Sequence, residues 1–150
     1  MTTYTSTQYQ NVPPTCDEAG CLQSFGASYT FAASTALAIG DIIKLCTLPK
    51  GFVLEDLILA TDSLGTSCAG SVGFLNAAAD DMNQAVIAIG SLATATVKRA
   101  DTGAGLRVAP SETTDKIIGI KITTANTANA DQGAKVSISM RYRPKQKIEI

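Results

Sequence analysis

The feature that most constrains this chain is the stretch Ala38–Thr61, AIGDIIKLCTLPKGFVLEDLILAT. It predicts two strands, Ile42–Leu48 and Phe52–Thr61, separated by only Pro49-Lys50-Gly51. Proline presets the backbone for the second position of a turn, and glycine accepts the positive φ that often follows it. Ile, Val, Leu and Phe provide the side chains that pack on a pleated surface. Gly40-Asp41 punctuates the near end, so the stretch reads as a hairpin. Its second strand has a parity conflict. Phe52 and Leu54 share one face and Leu57 and Leu59 the other, with Glu55-Asp56 between them. Either a β-bulge at the acidic pair returns all four to one side, or both faces are partly covered.

The rest of the chain repeats this grammar in shorter pieces. Strands are expected at Ala27–Ala33, Ser71–Leu75, Thr94–Arg99 and Leu106–Ala109, the last two flanking a Thr102–Gly105 turn. Two clean alternations close the chain. Ile118, Ile120 and Ile122 oppose Gly119, Lys121 and Thr123; Val136, Ile138, Met140 and Tyr142 oppose Ser137, Ser139, Arg141 and Arg143. Each predicts an antiparallel strand with one wet face, the pair joined as a long hairpin through Asn126–Gln132. In Asn76–Leu92, Met82, Val86 and Ile89 recur at helical spacing, and the stretch is read as a long loop with one helical turn. The expected fold is therefore all-β: an antiparallel β-sandwich of jelly-roll type, with a closed barrel as the second choice. The boundaries expected are an extended arm over residues 1–26, a sandwich over 27–143 and a tail over 144–150. At 150 residues a single domain buries roughly 70% of its unfolded surface without needing disulfides.

The residue types that are missing exclude most chemistry. The chain has no histidine, which removes Ser-His-Asp and Cys-His constellations, His ligands and His bases. Four cysteines, at 16, 21, 46 and 68, form no CxxC pair, so neither a metal nor a cofactor is expected; they read as reduced thiols, with Cys46 in the core. The carboxylate pairs Glu55-Asp56 and Asp80-Asp81 would diverge on a strand, and in a loop they act as solvated turn formers. A net charge of −1 leaves no basic field for nucleic acid. No run approaches the ~18 consecutive apolar residues of a membrane span, and the polar N-terminus does not resemble a signal peptide. Aromatic residues are 5% with no tryptophan, which disfavours a sugar-stacking lectin face.

The run from Gly40 to Phe74 resembles small structural proteins of tailed-phage heads. The matching residues are Gly40-Asp41, Leu48-Pro49, Gly51, Asp62, Leu64-Gly65 and Val72-Gly73, joined by the closing V-x-I-x-M-x-Y strand of Val136–Tyr142. The likeness covers Ala36–Phe74 and, more loosely, Asp115–Tyr142; residues 76–110 match no known pattern. It implies a capsid decoration, or cement, protein: a non-enzymatic virion component on the outer surface of an icosahedral shell, whose partner is the major capsid protein. A lectin-like or tail-fibre receptor-binding module is the alternative. Symmetric self-assembly is expected, a dimer ahead of a trimer. Partner contacts are expected at the chain ends. Tyr4, Tyr9, Val12, Leu22 and Phe25 are spaced apolar anchors, and Pro13-Pro14 lowers the entropy lost on ordering. Arg141, Arg143, Lys145 and Lys147 place four of twelve basic residues within seven positions, with Ile148 and Ile150 positioned to add an edge strand. An arm of this kind is expected to be dispensable for folding.

Overall fold

The computed structural model describes residues 1–11, 13–15 and 21–145. It is a sandwich of two β-sheets. One sheet has the strand order β1-β3-β8-β5-β6 and the other β2-β9-β4-β7. The strands are β1 (Thr3–Thr5), β2 (Gln23–Thr30), β3 (Ile42–Leu48), β4 (Phe52–Thr61), β5 (Ala69–Leu75), β6 (Met82–Ser91), β7 (Thr96–Arg99), β8 (Lys116–Thr124) and β9 (Lys135–Pro144). All pairings are antiparallel except β1 with β3.

The core is the one the alternations predict. Ile118, Ile120, Ile122, Val136 and Met140 are fully buried, and Ile138 nearly so. Cys46 lies among them with its Sγ 3.9 Å from Met140 Sδ. Burial pushes the Cys46 thiol up to about 12 and that of Cys68 to about 11, so both are protonated and inert. The parity conflict in β4 is resolved by a bulge. The register with β9 shifts between Leu54 and Asp56, and Phe52, Leu54, Leu57 and Leu59 all enter the core while Glu55 stays exposed.

β3 and β4 have the bounds that the sequence predicts, but they do not form a hairpin. They lie in opposite sheets, because β3 is flanked by β1 and β8, and β4 by β9 and β7. The 49–51 turn is an arch across the sandwich, held from outside. Gly51, at φ +78°, donates to Ser111 O and accepts from Lys145 N, and Lys50 N donates to Asp115 Oδ1. The expected β8–β9 hairpin is likewise an arch between sheets.

Residues 82–91 form a ten-residue strand instead of a loop with a helical turn. Register shifts between β5 and β6 break the two-residue period, which leaves the apolar residues at a spacing that imitates a helix. The preceding Asn76–Asp81 turn is tied by Asn76 Oδ1, which accepts from Asp80 N and Asp81 N. Asp80 and Asp81 are thus turn formers, and Asp81 also pairs with Lys121. The expected strand at Leu106–Ala109 is absent. A single helical turn, α1 (Gly103–Leu106), stands there, capped by Thr102, whose Oγ1 accepts from Gly105 N and donates to Ala85 O. A Cβ on Gly105 would meet Ala85 O at 2.3 Å, so only glycine lets this turn lie against β6.

The first strand of the four-stranded sheet starts at Gln23, before the expected Ala27. The first ten residues are laced into the sandwich instead of projecting from it. β1 extends the five-stranded sheet, with Thr2 N donating to Asp41 Oδ1 at 2.6 Å and Ser6 N to Lys44 O at 2.9 Å. A short 3-10 turn (Thr7–Gln10) follows, and Gln8 Oε1 accepts from Ser28 N of the opposite sheet. The segment is a strap joining the two sheets along one side.

Candidate interaction surface

Of the sites expected at the two chain ends, the segment around Leu22 and the cations of β9 lie at one pole of the four-stranded sheet, while Tyr4 lies by Tyr29 and Phe31 and Tyr9 by Lys44. β2 and β9 pair over Gln23↔Tyr142 to Thr30↔Lys135, so the residues beside Leu22 lie against the strand that carries Arg141 and Arg143. Tyr142 is buried edge-on to Phe52 at 5.6 Å, and its hydroxyl donates to Pro14 O at 2.6 Å. Burial first, and the Cys46 thiol second, push the Tyr142 phenol up to about 12, so it remains a donor. The Pro-Pro segment is held to the final strand by that bond.

The expected anchors divide into two groups. Tyr4 packs at 5.8 Å from Tyr29 and 5.6 Å from Phe31, Pro13 is buried, and Phe25 is half-buried against the core. Those three build the fold. Leu22 is 55% exposed, and Tyr9 stands half-exposed with Lys44 Nζ 5.7 Å from its ring. Arg141 is exposed and, among the described residues, has no ion-pair partner. Arg143 pairs with Glu55, and Lys145 with Glu112 at 2.7 Å. Val12, Lys147, Ile148 and Ile150 lie outside the described residues, as does Cys16.

Next to this pole the outer face of the sheet carries one shielded carboxylate. Asp56 follows the bulge and is 7% exposed; Arg99 of β7 reaches it from the next strand, with Nε 3.0 Å from Oδ1 and Nη2 2.8 Å from Oδ2. The Arg99 hydrogen bond, outweighing burial, holds the Asp56 carboxyl below the usual carboxylate range, helped by the Leu57 amide and the charge of Arg141. A group depressed in the folded state adds stability above its unfolded pKa and loses it as pH falls through the folded value. An NMR pH titration of the side-chain carboxyls is therefore expected to find Asp56 ionising below the usual carboxylate range. Arg99→Gln should raise its midpoint, because burial then acts unopposed; an unmoved midpoint would discard the pair as the cause.

Sequence reading missed three exposed apolar residues: Val97 at 73%, Met1 at 70% and Ile39 at 68%. Val97 borders an open depression of about 400 Å³ lined also by Ala60, Asp62, Lys135 and Ser137. Nothing in the local sequence marks these residues as outward-facing: Val97 stands between Thr96 and Lys98, and Ile39 lies in the apolar run Leu37-Ala38-Ile39. Among the described residues no group of three or more His, Cys, Asp or Glu side chains is placed to hold a metal. No helix among them is long and apolar enough to cross a membrane.

The architecture is shared with chains from two phage capsid structures. A chain in "Capsid of Ralstonia phage GP4" superposes with a TM-score of 0.82 at 23% identity, over 97% of this chain and 99% of that one. A chain in "Cyanophage Pam1 capsid asymmetric unit" superposes with a TM-score of 0.62 at 17% identity, over 92% and 95%. No family model matches the sequence, and no curated protein matches it. At these identities the likeness concerns the fold, which the two chains share nearly end to end.

Proposed function

We propose that this chain is a non-enzymatic structural component of a phage virion, a decoration protein that cements the outer surface of the capsid by bridging neighbouring major capsid subunits. The observation that carries the reading is the end-to-end superposition on a chain of the GP4 capsid, which leaves almost nothing of either chain unmatched. A shared fold alone is compatible with many roles. Here it coincides with the head-protein resemblance of Gly40–Phe74.

The contact with the shell is made at the pole where Leu22, Arg141, Arg143 and Lys145 lie. A partly exposed basic cluster steers association with an acidic surface, and exposed Leu22 adds apolar area to the contact. Phe25 and the Pro13-Pro14 segment support that surface from beneath. Several weak contacts repeated over a shell give avidity far above that of one.

Cosedimentation with heads of the encoding phage tests the reading, together with mass spectrometry of purified virions. The chain is expected in virions and bound to heads. Arg141→Ser combined with Lys145→Ser should weaken binding and make the remaining binding less salt-sensitive. Glycan binding without head binding would overturn the proposal in favour of a lectin or fibre module.

A further inference from the structure

Among the described residues the sandwich has four edge strands, and three of them are blunted. β1 is three residues long. β7 is four residues long and carries Lys98 and Arg99. β6 is covered by the segment that follows β7: Asp101 N and Thr102 N donate to Val86 O, and Asp101 Oδ1 accepts from Ala88 N at 2.7 Å. β2 differs. It is eight residues long, pairs with β9 without a register shift, and contains neither charge nor proline from Gln23 to Thr30. Natural sheets protect such edges, because a row of open amides recruits another strand.

The direction of the open amides is set by the pairing. Ser28 N points away from β9 to Gln8, and in an antiparallel ladder residues two apart present their N–H and C=O to the same side. Ser24 and Gly26 therefore face the edge, and both are exposed. The Gln8 side chain occupies the edge at Ser28, so among the described residues the open part is the half near Leu22.

We infer that this half-edge pairs with the same half-edge of a second copy, antiparallel about a two-fold axis at Phe25. With Ser24 opposite the partner's Gly26 on both sides of the axis, about four main-chain hydrogen bonds form. Phe25 then faces its own symmetry mate in a non-hydrogen-bonded position, where side chains approach most closely. That covers a ring which one chain leaves half-exposed. A two-fold axis sets like residues near like, so an uncharged strand is what such a contact requires. The pairing uses up both open edges and closes, whereas a head-to-tail contact would propagate. An eight-stranded sheet results, and the pairing does not depend on attachment to a shell.

Sedimentation equilibrium of the purified chain across the micromolar range is the test. The wild type is expected at the mass of two chains. Gly26→Pro removes an edge-facing N–H and none from the β9 ladder, and a Cβ there lies 3.7 Å from Ile138 O, an ordinary contact. Ser24→Lys puts two ammonium groups beside the axis. Each is expected to weaken association by about tenfold or more, while Val97→Lys on β7 leaves it unchanged. A monomeric wild type, or an oligomer that Ser24→Lys does not weaken, would overturn the inference. Should Gly26→Pro fail to fold, Ser24→Lys decides alone.

Discussion

Ile120→Ala is expected to destabilise the fold by roughly 2–5 kcal/mol, the range for truncating a fully buried aliphatic side chain to alanine. Ile120 has no exposed surface and lies on the central strand β8, paired with Ile43 on one side and Val72 on the other. Removing its side-chain carbons loses their transfer free energy and opens a cavity that two bonded neighbours prevent from collapsing. Urea unfolding followed by circular dichroism measures the effect as a lowered midpoint at unchanged slope. A change within about 0.5 kcal/mol, the size of an ordinary surface substitution, would mean that the inward face of β8 has been assigned wrongly.

Deleting residues 1–10 is expected to cost roughly 1–3 kcal/mol, the penalty for leaving buried polar groups unsatisfied. Asp41 is 2% exposed and loses the Thr2 amide, Ile42 N loses Thr2 O, and Ser28 N loses Gln8. The Tyr4 ring also leaves its tilted and edge-on contacts with Tyr29 and Phe31. For a domain of this size each kcal/mol lowers the melting temperature by about 2–4 °C, well within reach of calorimetry. This reverses the expectation of a dispensable arm. An unchanged melting temperature would restore it, and would mean that the strap's contacts only balance the entropy of ordering it.

How much of the molecule was legible in the sequence depends on the range of the information. Residues Ile42–Leu48 and Phe52–Thr61 announce themselves as strands to the residue because alternation and turn chemistry are local. The isoleucines of β8 and the apolar residues of β9 name the core because a half-buried strand repeats every two residues. The bulge at Glu55 was visible as a break in that repeat. Where bulges accumulate, as in β6, the same repeat is erased and the reading fails.

The site was legible only as composition. Spaced anchors near one end and clustered cations near the other were apparent, but the approach of Leu22 to the strand of Arg141 and Arg143 follows from β2 pairing with β9 across more than a hundred residues. Nor did the type of residue tell which anchors point outward: Phe25 is drawn toward the core by its ladder partner Met140, and Tyr4 by an aromatic pair on β2 and just beyond it. The sequence by itself determined the strands, their inward faces and the absence of histidine chemistry, all of which depend on near neighbours. Tertiary structure alone decided which sheet each strand joins, why the Pro49–Gly51 turn is an arch, and that β2 stands at the edge of its sheet. Those outcomes depend on which strands compete for the same backbone hydrogen bonds, and that competition is settled between segments far apart in the chain.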